Sequence, residues 1–147
     1  MSYRIVTDNC CDFPTAMYEE LDLAAVPLVV RFENKEVSQY SEKWLKKMYA
    51  GMREGAVATT SAVNPQGWEE AIEPVLAEGK DALVLTFSSG LSTTHQSAVI
   101  AATELAEKYP DRKIRVVDTL CAALGQGLLV WHACQKRDQG LDLDGVA

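Results

Sequence analysis

Long apolar runs are missing from this sequence of 147 residues. No segment approaches the roughly 20 consecutive apolar residues that a membrane-spanning helix needs. Arg4 and Asp8 interrupt the first apolar run, which therefore lacks the continuous core of a secretory signal peptide. These absences predict a cytoplasmic protein without stable membrane insertion.

Patterns of metal ligands are also missing. The four cysteines, Cys10, Cys11, Cys121 and Cys134, show no C-x-x-C spacing, and the sequence contains only two histidines. Structural zinc sites require closely spaced pairs of such ligands. The sequence therefore predicts no metal site and no cofactor, and it favours free thiols in a reducing compartment.

Positive charge is scarce, since 14 lysine and arginine residues face 21 acidic residues and the net charge is -7. An acidic surface repels the phosphates of nucleic acids, which excludes them as expected partners. The hydrophobic fraction of 48% and the charged fraction of 24% are typical of a globular protein. The length fits a single domain, residues 1–147, with its own hydrophobic core.

Short apolar runs alternate with helical patterns along the chain. Predicted strands cover residues 3–7, 25–30, 81–87 and 113–118, and predicted helices cover residues 41–53, 64–78, 94–109 and 120–139. The nearly continuous apolar run at 81–87 is typical of a strand covered on both faces. Two successive strand–helix–strand passages predict an α/β fold, a three-layer parallel sheet with helices on both faces.

Two loops rich in hydroxyl groups precede predicted helices: residues 59–65 (T-T-S-A-V-N-P) and residues 88–94 (S-S-G-L-S-T-T). Ligands of parallel sheets bind outside the carboxyl ends of the strands. Hydroxyl groups, free backbone N–H groups and the positive end of a helix dipole suit a carboxylate or a phosphate. The same hydroxyls are equally typical of helix caps, with Ser92 or Thr94 starting its helix, so both interpretations stay open.

Two further functions compete with carboxylate binding. Ser92 follows a strand and precedes a helix, as the nucleophile of a serine esterase or acyl-transfer enzyme does. His95 or His132 is then the candidate base, and Asp118 the residue that orients it. The G-x-S-x-G motif, however, requires glycine where Thr94 stands. The other alternative is a binder of a small phosphorylated metabolite, although neither loop contains lysine and no P-loop motif occurs.

Four stretches of the sequence, taken in order, match the pattern of one known family. They are I-V-T-D with D-F-P and V-P-L in residues 5–28, T-S-A-V-N-P at 60–65, S-S-G-L-S-T-T-H-Q-S-A at 88–98, and D-T followed by G-Q-G in 118–127. The second and third resemble the T-S-Q-P-S-P and S-S-x-L-S-G-T-Y-Q-S-A segments of the DegV family. The resemblance extends over essentially the whole chain and identifies it as similar to the N-terminal domain of that family.

The resemblance implies a non-enzymatic carrier that binds a long-chain fatty acid and presents it to a separate fatty acid kinase. Thr60 and Ser92 match the positions whose hydroxyls hold the carboxylate, with Ser61, Thr93 and Thr94 as neighbours in the site. Members of the family are bacterial proteins of about twice this length, and their second α/β domain is absent from residues 1–147.

Three departures from the family pattern fall in these loops. Thr93 stands where the family usually has glycine, and His95 stands where it has tyrosine. Ala62 and Val63 replace the usual Gln-Pro pair.

Overall fold

The computed structural model describes residues 3–38 and 41–147, which form seven strands and six α-helices. The strands are β1 (Tyr3–Asp8), β2 (Leu23–Val26), β3 (Val29–Phe32), β4 (Lys35–Val37), β5 (Ala58–Ser61), β6 (Asp81–Thr86) and β7 (Ile114–Asp118). The helices are α1 (Thr15–Glu20), α2 (Glu42–Arg53), α3 (Pro65–Ala77), α4 (Thr94–Lys108), α5 (Ala123–Asp138) and α6 (Leu143–Val146). A single 3-10 turn, Asn9–Cys11, follows β1.

Four parallel strands in the order β2-β1-β6-β7 form the central sheet. In its register Ile5 of β1 lies opposite Leu23 of β2 and Leu83 of β6. Because all four strands run in the same direction, β1, β6 and β7 end at one edge, at Asp8, Thr86 and Asp118. The predicted parallel α/β architecture is confirmed.

Alternating side chains of the strands build a separate core on each face of this sheet. On one face Val6 and Val84 pack with Trp68 and Ile72 of α3 and with α4. On the other face Ile5, Leu83 and Leu85 pack with Val130 and Cys134 of α5 and with α6. The molecule therefore has the three layers that the sequence predicts.

The predicted strand at 25–30 is two strands in different sheets. Pro27 has no N–H for a ladder, and the N–H of Leu28 donates to Asn9 Oδ1 over 2.9 Å. The chain leaves the parallel sheet at this point, and β3 pairs antiparallel with β4 and β5 in a second, three-stranded sheet. Glu33 and Asn34 both have positive φ, 50° and 60°, as a two-residue hairpin turn requires.

About half of the loop predicted at 59–65 belongs to a strand in the structure. Thr59, Thr60 and Ser61 belong to β5, and only residues 62–64 form the loop before α3. Asn64 caps α3, because its side chain accepts a hydrogen bond from the N–H of Gly67 over 2.8 Å.

Gly127 lets α5 approach the turn after β1 closely. A Cβ atom at this position would lie 2.6 Å from the carbonyl oxygen of Cys11 and 2.9 Å from Phe13 Cε1. At Gly125 a Cβ would meet only the Cβ of Cys121, at 3.8 Å. Packing therefore requires glycine at position 127, whereas position 125 has room for a larger side chain.

We expect Gly127→Ala to lower the free energy of unfolding by about 1–3 kcal/mol, because a backbone carbonyl must move to admit the methyl group. The matched variant Gly125→Ala should leave stability unchanged or raise it by up to about 1 kcal/mol, because alanine favours the helix. Urea unfolding of both variants measures the difference, and equal stabilities would contradict the close approach.

Candidate functional site

An open cleft of about 860 Å³ lies at the carboxyl edge of the parallel sheet, where β5 and the loop after β6 face each other. Its polar lining consists of Thr60, Ser89, Ser92, Thr93, His95 and Gln96. Its remaining lining consists of Leu28, Ala62, Phe87, Leu91 and Cys10. The volume falls in the usual range of ligand sites, about 300–1,000 Å³, and hydroxyl groups stand beside apolar walls.

Thr94 joins the two hydroxyl-rich segments but does not line the cleft. Its side chain is fully buried, and Thr94 Oγ1 accepts a hydrogen bond from the N–H of Val63 over 3.3 Å. The carbonyl of Thr94 accepts from the indole N–H of Trp68 over 3.1 Å. The hydroxyl of Thr94 holds the segment before α3 against the start of α4, and a ligand-binding role for Thr94 stays a prediction.

The hydroxyl of Ser92 is held in place by two hydrogen bonds to Thr94. Ser92 Oγ accepts from the N–H of Thr94 over 3.2 Å and lies 2.8 Å from Thr94 Oγ1. When Thr94 is the donor of the second bond, both lone pairs of Ser92 are occupied and its O–H is available to an acceptor in the cleft. Capping and ligand binding, which the sequence leaves as alternatives, are thus compatible at Ser92.

Strand geometry separates Thr60 from Ser61. Successive side chains of a strand point to opposite faces, and Thr60 lines the cleft whereas Ser61 does not. Ser61 therefore lies outside this lining, and its predicted role in ligand binding stays a prediction. Thr93 lies in the lining with an exposed side chain, and its carbonyl accepts from the N–H of Ser97 over 3.0 Å.

Asp8 is a buried carboxylate that holds the wall of the cleft from below. It accepts hydrogen bonds from the N–H of Phe87 over 2.8 Å, from the N–H of Cys10 over 3.1 Å, and from Gln126 Nε2 over 3.0 Å. Both Phe87 and Cys10 line the cleft. Asp8 thus fixes the ends of β1 and β6 relative to α5.

Burial raises the pKa of Asp8, and the hydrogen bonds from Phe87, Gln126 and Cys10 oppose that shift without cancelling it. Burial also raises the pKa of the Cys10 thiol, and the negative charge of Asp8 adds to the effect. Cys10 therefore presents a neutral thiol to the cleft and is a poor nucleophile.

The structure does not assemble a catalytic triad. Ser92 Oγ is bonded to Thr94, while His95 Nδ1 is bonded to Thr86 Oγ1 over 2.9 Å. His132 lies exposed on α5 against Trp131. The described residues thus supply no hydrogen bond from Ser92 to a histidine, which general-base activation of a serine requires.

Several lining residues escaped sequence reasoning. Leu28 and Phe87 lie within or next to predicted strands, and the sequence therefore predicts them as core residues. Cys10 and Leu91 belong to no sequence pattern that predicts a site. The sequence marks His95 as a candidate base for Ser92, and Gln96 occurs only within the S-T-T-H-Q segment that resembles the family pattern. Within residues 3–38 and 41–147, no cluster of three or more His, Cys, Asp or Glu residues could hold a metal ion. No helix in those ranges has the length and apolar character to cross a membrane.

The described residues form a parallel α/β domain with a hydroxyl-lined cleft at the carboxyl edge of its sheet, and comparison with known proteins specifies its family. Residues 2–147 match the family model described as "Uncharacterised protein, DegV family". The chain belongs to the DegV family. A DegV domain-containing protein of Clostridium perfringens is 42% identical over 146 residues, which are 98% of this chain and 50% of that protein.

Solved structures share the fold. A DegV family protein from Thermus thermophilus, described by its fatty acid binding, is 33% identical, with a TM-score of 0.87 over 99% of this chain and 51% of that one. A Thermotoga maritima protein described as revealing a fatty acid binding function is 30% identical, with a TM-score of 0.82 over 99% of this chain and 52% of its own.

The Fatty Acid Kinase (Fak) B3 protein of Streptococcus pneumoniae, loaded with linoleic acid, is 26% identical, with a TM-score of 0.81. The matched region covers 99% of this chain and 52% of that protein. The chain thus spans about half the length of the relatives it matches.

We expect Thr94→Val to expose the amide of Val63 to exchange, because valine has no oxygen to accept its hydrogen bond. Thr94→Ser keeps the hydroxyl and is the matched control. Hydrogen exchange followed by NMR should show faster exchange at Val63 in the valine variant alone, with a loss of about 1–3 kcal/mol in stability. Unchanged protection of Val63 in Thr94→Val would show that this bond does not join the two segments.

We expect Asp8 to make the free energy of unfolding depend on pH in the acidic range. Its raised pKa means that the folded protein keeps this proton above about pH 3.9, where the unfolded chain loses it. The stability that this group contributes is therefore full below that pH and is lost as the pH rises through the folded value. The free energy of unfolding of the wild type minus that of Asp8→Asn, measured across the acidic range, should fall with rising pH. A difference that rises with pH would reverse the assigned shift.

Proposed function

We propose that this domain binds the carboxylate of a long-chain fatty acid and that the protein serves as a fatty acid carrier. The observation that carries the proposal is that Thr60 and Ser92 line one cleft, whose lining also contains apolar side chains. Each hydrogen bond from a hydroxyl to a carboxylate contributes about 1.5–3 kcal/mol. Relatives described as fatty-acid-binding at 30–33% identity support the same ligand class.

The acyl chain supplies the larger part of the affinity in this proposal. Burial of each CH₂ group stabilises a complex by about 0.8 kcal/mol. Leu28, Ala62, Phe87 and Leu91 offer apolar surface next to the hydroxyls. The hydroxyls then fix the orientation of the head group, and the hydrocarbon contacts hold the ligand.

Chemistry on the bound acid belongs, in this proposal, to a separate fatty acid kinase, to which the carrier presents the carboxylate. The likeness to the Fatty Acid Kinase (Fak) B3 protein supports this partner. A carrier needs no cofactor and no nucleophile of its own, in keeping with the neutral Cys10 thiol and the Ser92–Thr94 bond. The four free cysteines support a cytoplasmic location.

The two alternatives have less support. A serine esterase needs a histidine on Ser92, and His95 is bonded elsewhere. A binder of phosphorylated metabolites usually presents lysine or arginine to the phosphate. Among the described residues that line the cleft there is neither.

Native mass spectrometry of the full-length protein from cells tests the proposal. We expect an added mass that matches a fatty acid, with occupancy strongly reduced in Thr60→Ala and in Ser92→Ala, because each removes a hydrogen bond worth roughly a tenfold or larger change in affinity. Ser61→Ala is the matched control, since its side chain lies on the same strand outside the cleft.

Full occupancy in both Thr60→Ala and Ser92→Ala would place the head group elsewhere. A protein without added mass that hydrolyses esters, and loses this activity in Ser92→Ala, would replace the carrier with an esterase.

A further inference from the structure

The cleft contains one side chain that can carry a positive charge. Among the described residues that line it, His95 alone is basic, and the others are neutral or, for Cys10, held neutral. His95 is thus able to strengthen the binding of an anion in the cleft, because charge-assisted hydrogen bonds are roughly twice as strong as neutral ones.

The imidazole of His95 is anchored on the sheet side. His95 Nδ1 lies 2.9 Å from Thr86 Oγ1, and Thr86 is fully buried in β6. The hydroxyl of Thr86 also donates to the carbonyl of Val117 over 3.4 Å, so in this arrangement Nδ1 carries the proton and donates it to Thr86. No described residue forms a hydrogen bond with Nε2, and because the ring lines the cleft, Nε2 is the atom left for a ligand.

Asp118 is the acidic residue beside this ring. It ends β7 and accepts hydrogen bonds from the N–H of Ser89 over 3.2 Å and of Leu120 over 3.0 Å. Burial would raise the pKa of Asp118, but the hydrogen bonds from Ser89 and Leu120 outweigh it, and the nearby His95 lowers the pKa further. The other titratable groups beside the cleft are Cys10, which is neutral, and Asp8, which is buried beneath the wall.

We propose that His95 Nε2 binds the carboxyl group of the ligand, so that the head-group site consists of Thr60, Ser92 and His95. The inference rests on the proposed function and adds an ionic contact to it. His95 lies in the first turn of α4, three residues after Ser92, so the same helix start presents both groups to the cleft. One proton between Nε2 and the carboxyl oxygen forms this hydrogen bond, whether it belongs to an imidazolium facing a carboxylate or to a carboxylic acid facing a neutral imidazole.

A comparison of two ligands isolates the head group. The full-length protein, His95→Gln and Ser92→Ala are each titrated near neutral pH with oleate and with oleyl alcohol, which have the same chain length but different head groups. We expect His95→Gln to weaken oleate binding by about tenfold and to leave oleyl alcohol binding unchanged, because glutamine keeps a neutral donor and loses the charge. Circular dichroism and thermal unfolding verify that each variant is folded.

An NMR titration of the wild-type protein provides a second, independent test. Imidazole is the group that changes charge between about pH 5 and 8, and NMR follows it directly. Oleate should move the midpoint of the His95 titration to higher pH, and oleyl alcohol should not. His132, exposed on α5, is the internal reference.

Each other outcome overturns a distinct statement. Equal losses for oleate and oleyl alcohol in His95→Gln, or an unmoved titration, would make His95 a structural residue and overturn the inference. Loss of oleate binding in Ser92→Ala would then still support the carrier. A wild-type protein that binds neither ligand would remove the proposed function itself.

Discussion

The hydroxyl of Thr94 is the contact on which the candidate site depends. The cleft lies between two structural units that the chain builds separately, a parallel sheet and a small antiparallel one. Thr94 Oγ1 bonds to Val63 on one side and to Ser92 on the other, and it does so while fully buried. Hydrogen bonds in such surroundings are costly to leave unmade, so the two units are held in one relative position.

A second constraint acts beneath the cleft, where Asp8 brings a negative charge into a site that is buried on every side. Backbone N–H groups and Gln126 satisfy it, and they do so by tying the ends of β1 and β6 to α5. Asp8 thus fixes the residues that form the floor of the site. The groups above it are hydroxyls, one imidazole and apolar side chains, which favour binding and orientation of an acid rather than covalent chemistry.

Periodic apolar patterns made the parallel sheet predictable, because strands β1 and β6 are buried on both faces and β7 is a short, largely apolar run between helices. The antiparallel sheet gave no such signal. β4 has three residues that are mostly exposed, and β5 is almost wholly polar. Its hairpin turn uses Glu33 and Asn34 rather than the Asn-Gly or Asp-Gly pairs that mark such turns in sequences. The place of Thr60 on a strand therefore could not be read from the sequence.

Local pattern and composition are sufficient to predict the α/β class, the helix after Asn64, the hydroxyl-rich segments and the family resemblance. Which hydroxyls face the cleft depends instead on contacts between distant parts of the chain. Thr60 and Ser61 are neighbours of similar chemistry, and the direction of a strand separates them. The side chain of Thr94 is hydrogen-bonded to Val63, and that of His95 to Thr86. Both partners come from other elements of the fold. Such partners are brought together by packing over distances in sequence that no local pattern encodes.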